Sequence, residues 1–356
     1  MNRLFVPGRL CLFGEHSDWA GARRAADPRI VPGACLISGT DQGITASIAA
    51  AAQFEITSRL PDGRVRGPRR IPMRTEALRQ AAQAGDFFSY AAGVAAVVAE
   101  RHRPPGVSIR VESTDLPVAR GLSSSAAICV LTARAFNHVH RLGLTIREEM
   151  ELAYRGELAA GSQCGRMDQA CAFGKRPVLL RFDGESMHTE LLQVGGALPL
   201  LVVDLRHDKD TRRILADLQA RFGVDDDAGR ALRDALGRRN AELIERARAA
   251  MAAGDGPALG RLMTEAQELF DRCVAPACPA ELTAPRLHAV LRHPAARRLT
   301  WGGKGVGSQG DGAAQFVCRG RSERAALARE LEASAGVRCL PLTIDAVETS
   351  DPGCGL

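Results

Sequence analysis

The sequence predicts an α+β protein of two domains, residues 1–196 and 197–356. Three observations lead there. The first half interleaves short apolar strand patterns with helical ones. The second half turns helical after one core strand and closes with two further strands. Between the halves, Gly195-Gly196-Ala197-Leu198-Pro199 is rich in residues that break regular structure. The 356 residues are enough for two domains of ordinary size and a sizeable core.

The elements follow in order. Residues 3–15 read as a strand, a glycine turn and a second apolar stretch. Residues 36–56 suggest strands and turns, and 59–72, rich in Pro, Gly and Arg, an exposed hairpin or loop. Residues 87–99 read as a buried, Ala-rich helix, and 106–112 alternate as a strand does. A turn at 117–121 leads into a long helix over 124–142. Residues 145–160 form the next helix, with Thr145 as N-cap and Glu148 completing a capping box. A strand pair falls near 177–183 and a core strand at 200–205. Leu259, Leu262, Met263, Ala266, Leu269 and Phe270 recur on one helical face. Strands at 314–318 and 338–344 flank a helix near 322–334.

Composition narrows the function classes. Apolar residues make up 46% and charged residues 25%, a globular balance. No apolar stretch approaches the roughly 18 to 20 residues of a membrane helix. The first residues are broken by Pro7 and Gly8 too soon for a secretory signal, so a cytoplasmic protein is expected. The ten cysteines lack metal-ligand spacing and read as reduced, apolar side chains. Net charge is +6, carried by arginine, for the only lysines are Lys175, Lys209 and Lys304. Without basic runs or interleaved aromatics, a nucleic-acid partner is not expected.

Four stretches carry chemistry. In Gly121-Leu122-Ser123-Ser124-Ser125-Ala126-Ala127 a glycine turn opens a helix, whose first N–H groups and dipole favour an anion. Gly121 lets the backbone approach a phosphate closely, and one serine hydroxyl can ligate Mg2+. A helix cap with surplus serines is the plainer alternative. In Pro7-Gly8-Arg9 through Gly14-Glu15-His16-Ser17-Asp18-Trp19, two carboxylates and an imidazole can bind vicinal hydroxyls, and Arg9 can steady a phosphoryl oxygen. Alone this segment reads equally as a solvated turn. Glu157 and Asp168, eleven residues apart, can serve as metal ligand and general base, or be surface charge. Trp301 through Gly312 holds a run of glycines (among them Gly303, Gly305 and Gly307) expected to form a flexible loop covering phosphate or substrate. The chain lacks the Walker motif and the protein-kinase signature set.

Together, in this order, these motifs resemble the GHMP kinase superfamily, and most closely its galactokinase-like sugar kinases. Arg9, Glu15-His16-Ser17-Asp18-Trp19 and Met167-Asp168-Gln169 resemble the galactokinase signatures. The resemblance implies an N-terminal ribosomal-protein-S5-domain-2-like nucleotide-binding domain, a C-terminal ferredoxin-like domain and an active site in the cleft between them. It implies ATP and Mg2+ as cofactors and a sugar-like substrate. Gly121, Leu122, Ser123, Ser124, Ser125 and Ala126 would hold the nucleotide. Ser125 (or Ser124) and Glu157 would hold Mg2+. Asp168 and Arg9 would act on the reacting groups, and Glu15, His16, Asp18 and the three glycines would bind substrate. A non-sugar alcohol as acceptor, or a non-catalytic sugar and ATP sensor, are the alternatives. Arg166 stands where galactokinases carry an apolar residue, and would pair with an acidic sugar, with Asp168 or with another acid.

Overall fold

The structure is a computed structural model that describes residues 2–116, 122–162 and 164–347. Two long strands, β1 (Asn2–Phe13) and β2 (Gly33–Ala51), each pass from one of two compact units into the other. The first unit takes the chain up to Arg9 together with Gly39–Lys175. The second takes Leu10–Ser38 and the chain from Arg176 onward. Residues 10–38 and 176–196 thus pack with the C-terminal half rather than with the rest of 1–196.

In the first unit β3 (Phe54–Arg59), β4 (Val65–Ile71) and β5 (Gly106–Thr114) join the second half of β2 in the order β4-β3-β5-β2. β3 runs parallel to β5 and the other pairs are antiparallel. Helix α1 (Ser17–Ala22) belongs to the second unit, while α2 (Thr75–Gln83), α3 (Ser89–His102), α4 (Ser124–His140) and α5 (Ile146–Ala159) pack together in the first. The expected hairpin at 59–72 is the β3–β4 pair. α3 is buried nearly all round, as its Ala-rich sequence requires. α5 starts at the expected capping box, with Thr145 accepting from the Glu148 N–H and Glu148 accepting from the Thr145 N–H at 2.8 Å.

In the second unit β6 (Val178–Asp183) pairs with the first half of β2 and with β7 (Ser186–Leu191). β8 (Leu198–Asp204) then starts a second sheet. Helices α6 (Thr211–Phe222), α7 (Asp227–Leu236), α8 (Arg238–Ala253), α9 (Gly256–Cys273), α10 (Pro279–Leu282), α11 (Pro285–Leu291) and α12 (Pro294–Leu299) follow. β9 (Thr300–Gly305), β10 (Ala313–Cys318), α13 (Arg321–Ala335) and β11 (Arg338–Ile344) complete it. The sheet is antiparallel throughout in the order β11-β8-β10-β9, the ferredoxin-like arrangement expected of the C-terminal part. Leu201, Val203, Phe316, Leu327 and Leu331 form its core against α13.

Two local expectations change. Residues 3–15 contain no glycine turn before Phe13: β1 is one continuous strand, because Gly8 keeps strand geometry within it. The glycine run after Trp301 is no flexible loop over residues 300–305. It is the half-buried strand β9, paired with β10 and packed on α9. The missing side chains allow that packing. A Cβ on Gly302 would lie 2.0 Å from the Gly260 carbonyl of α9, and one on Gly303 would lie 2.5 Å from the Gln315 carbonyl of β10. Only the segment after Val306 turns, with Gly307 at φ 65°.

Candidate active-site residues

In the first unit, β1 delivers Arg9 and the short helix 168–173 delivers Asp168. Both the Nε and Nη2 of Arg9 donate to Oδ1 of Asp168, at 3.1 and 2.5 Å. Arg9 is 4% exposed, whereas the Asp168 side chain keeps 25% exposure. The helix under Asp168 is braced by Arg134, which donates to the Ala172 carbonyl at 2.7 Å and to Glu149 at 2.8 Å. The Arg9 N–H also donates to the Leu122 carbonyl at 3.1 Å, tying the serine segment to β1.

Ser123 precedes α4 with φ 54° and ψ 56°, so the chain makes a left-handed step and then exposes the first turn of the helix at Ser124 and Ser125. Ala126 is buried behind them. Gly121 lies outside the described residues. Glu157, on the last turn of α5, is 2% exposed. It is hydrogen-bonded by the Ser125 hydroxyl and accepts from Gln169 Nε2 at 2.7 Å. Burial first, and then the charge of Asp168, push the Glu157 carboxyl above its ordinary value; the bonds from Ser125, Gln169 and Cys164 oppose this. A carboxylate and a hydroxyl oxygen side by side are hard donors that suit Mg2+, an ion that takes one or two carboxylates and completes its shell with phosphate and water. Among the described residues there is no cluster of three His, Cys, Asp or Glu that would hold a metal without a substrate's help.

Arg166 packs against α5. Its guanidinium lies 3.8 Å from Glu151 and 5.1 Å from the Tyr154 ring centre, both on α5, so another acid of the same unit takes it.

In the second unit, β1 ends in a turn carrying Glu15 and His16, and Asp18 follows in the first turn of α1, all three less than a tenth exposed. Gly14 enters this turn at φ 95°, and a Cβ there would lie 2.2 Å from the Ala34 carbonyl. Ser17 anchors it: its hydroxyl donates to the Leu236 carbonyl at 2.9 Å and accepts from the Ala34 N–H and from Asn240. The His16 ring stacks on Phe270, and its Nδ1 accepts from Trp19 Nε1 at 3.2 Å. That bond places the ring proton on Nε2, which is buried and makes no hydrogen bond within 3.5 Å, although the Ser308 backbone lies near enough to act on the ring. Burial is the main cause that lowers His16 to about 4; the ammonium groups of Lys209 and Lys304 add to it, and the nearby Ser308 carbonyl works against it. Glu15 forms a fully buried ion pair with Lys304. Of the three expected substrate glycines, Gly303 and Gly305 lie in β9 and Gly307 in the turn beyond it.

Sequence reasoning missed Gln169, Trp19 and Lys304 as partners of the expected residues. Lys304 had a legible signal: lysine is nearly absent from a chain rich in arginine.

Comparison with known proteins agrees with this frame. The GHMP kinases N terminal domain matches residues 89–175. The galactokinase of Bos taurus is 26% identical over 340 residues, covering 84% of this chain and 81% of its own. That of Thermotoga petrophila is 27% identical over 209 residues, covering 57% of this chain and 53% of its own. The chain thus spans about half the length of the Thermotoga relative it matches. Among solved structures, Lactococcus lactis galactokinase complexed with galactose superposes at a TM-score of 0.72 with 16% identity, over 98% of this chain and 95% of that one. Methanococcus jannaschii mevalonate kinase does so at 0.72 with 18% identity, over 98% of both. The fold is that of the superposed mevalonate kinase and galactokinase structures, and residues 89–175 match the GHMP kinases N terminal domain. Both curated relatives described here are galactokinases. None of the described helices is long and apolar enough to cross a membrane.

Proposed function

We propose that the protein is an ATP-dependent kinase that transfers the γ-phosphoryl group to a hydroxyl of a sugar or sugar derivative. The observation that carries this reading is the Arg9–Asp168 pair beside Glu157 and Ser125 at the first turn of α4. The galactokinase relatives support a sugar acceptor. The order of the motifs along the chain is the ground for placing its two sequence domains at residues 1–196 and 197–356, although residues 10–38 and 176–196 pack in the second unit, and a cytoplasmic setting fits the chain's composition.

In this reading the first-turn N–H groups of α4 and the hydroxyls of Ser123, Ser124 and Ser125 bind the nucleotide phosphates, joined by Gly121, Leu122 and Ala126. Glu157 and Ser125 would hold Mg2+, which supplies charge neutralisation on the phosphates. Both bonds from Arg9 to Asp168 go to Oδ1, which leaves Oδ2 to accept the proton of the attacking hydroxyl. Arg9 itself stays close enough to that carboxylate to offset charge that builds on the reacting oxygens. Glu15, His16 and Asp18 bind the substrate's other hydroxyls, and the segment of Gly303, Gly305 and Gly307 backs them. Phosphoryl transfer needs chiefly positioning and charge neutralisation, which this set provides.

A coupled ATPase assay over a panel of sugars tests the reading. Asp168→Asn should lower kcat by roughly 10²–10⁴, the range of a lost general base. Near-parental turnover of that variant on the best substrate would refute the assignment. A non-sugar alcohol is the second reading, favoured by the equal fold match to mevalonate kinase. Under it, single Ala changes at Glu15, His16 and Asp18 leave substrate KM nearly unchanged.

A further inference from the structure

Lysine occurs three times among 47 basic residues, and two of the three, Lys209 and Lys304, lie close enough to His16 for their charges to act on its ring. Lys304 is 2% exposed. It projects from β9 opposite Gln315 of β10, and its ammonium donates to Oε1 of Glu15 and to the Gly305 carbonyl at 3.0 Å. Lys304 is the side-chain partner of Glu15 among the described residues. A carboxylate buried this deeply needs a counter-charge, and the ion pair supplies one. A lysine suits the place, because its compact ammonium can direct its donors to both a carboxylate and a carbonyl.

The groups around the pair have unmet hydrogen-bonding capacity of both kinds. His16 is 5% exposed and holds an unpartnered N–H on Nε2, fixed there by Trp19. Gln309 is 2% exposed and holds an unpartnered carbonyl oxygen, Oε1. Glu15, Lys304 and Gln309 line one small cavity, walled on its apolar side by Phe270. A buried donor and a buried acceptor, each left open, are costly unless something satisfies them. A hydroxyl donates and accepts; a carboxylate or a phosphate dianion only accepts.

We propose that Lys304 is a positioning residue of the acceptor-substrate site: it fixes Glu15 and balances its charge, so that Glu15, His16 Nε2–H and Gln309 Oε1 select the hydroxyls of a neutral sugar over a carboxylate or phosphate. The proposal rests on the sugar-kinase reading and adds to it the class of sugar and the residue that tunes the site. Lys304 acts through Glu15, so its removal should weaken acceptor binding and leave the nucleotide untouched.

The test uses the full chain in isothermal titration and thermal shift. One arm measures a non-hydrolysable ATP analogue with Mg2+. The other measures neutral hexoses, uronic acids and sugar 1-phosphates in the presence of that analogue. The parent should bind a neutral hexose better than its uronic acid or 1-phosphate counterpart. Lys304→Met should weaken the best sugar by about tenfold or more while the analogue's Kd stays within about twofold. The double variant Glu15→Gln/Lys304→Met should recover thermal stability lost by the single change, since no charge is left unpaired, yet still bind the sugar weakly. Parental sugar affinity in Lys304→Met, with only a lower Tm, reduces the residue to a structural role and overturns the proposal. Preference of the parent for the acid or the phosphate overturns it equally. If the parent binds the ATP analogue and no sugar at all, the sugar-kinase reading itself falls, and the proposal with it.

Discussion

Acidification should unfold this protein in part through one ring. His16 is 5% exposed and lowered from 6.5 to about 4, chiefly by burial. The fold therefore favours the neutral imidazole. Its contribution to stability is fully present above pH 6.5 and is lost as pH falls toward 4, where the folded ring must finally take the proton that the unfolded ring already holds. A difference of about 2.5 units at 1.36 kcal/mol each sets the full loss at roughly 3 kcal/mol. By about pH 5 the unfolded ring is almost wholly protonated and the folded ring scarcely so, which puts the loss at roughly 2 kcal/mol. Other carboxylates titrate over the same range, so the comparison must be differential. Urea midpoints followed by circular dichroism, from about pH 8 down to about pH 5, should fall more steeply for the parent than for His16→Gln, by roughly that 2 kcal/mol. Parallel curves would show that the ring is not held neutral by burial. A ring that takes up its proton also carries one on Nδ1 and can no longer accept from Trp19 Nε1.

Three further outcomes follow from particular contacts. Glu157 is raised by burial and by Asp168, so its protonated form is favoured in the fold: its contribution to stability is present at low pH and lost as pH rises through the raised value. The apparent Mg2+ affinity of the nucleotide complex should rise with pH over the same window, and Glu157→Gln should both weaken and flatten that dependence in a titration. Thr145→Ala removes the hydroxyl half of the α5 capping box and should lower stability by about 1 kcal/mol in a urea titration. Gly260→Ala would set a Cβ 2.5 Å from the Trp301 Cβ, and the strain should cost about 1–3 kcal/mol, read as a lower Tm. An unchanged Tm would mean that β9 can shift off α9.

Much of the fold could be read in advance because its signals are local. The capping box at Thr145 and Glu148 needs only adjacent residues to form, and α5 begins there. The run at 259–270 repeats at helical spacing, and α9 buries that face. The glycines near 303 misled because composition cannot separate two uses of a missing side chain. A turn wants unusual dihedrals, while a strand pressed on a helix wants space. Gly302 and Gly303 serve the second use, and the partners that require it, Gly260 and Gln315, are distant in sequence or on another element.

The candidate site divides the same way. The residue types and their order along the chain (Arg9, Glu15-His16, the serines, Glu157, Asp168) were legible from the motifs, because each segment carries its own chemistry. Their partners were not. Arg9 meets Asp168 across 159 positions, and Lys304 meets Glu15 across 289. Both Arg9 bonds to Asp168 go to Oδ1, His16 carries its proton on Nε2, and Arg166 packs against α5 beside Glu151. The sequence by itself determined the class of architecture and which side chains could do the chemistry, since periodicity, caps and motif order are properties of neighbouring residues. Only the tertiary structure decided which of those side chains are buried, paired or left with an open hydrogen bond, because burial and long-range contact arise when distant segments exclude water together.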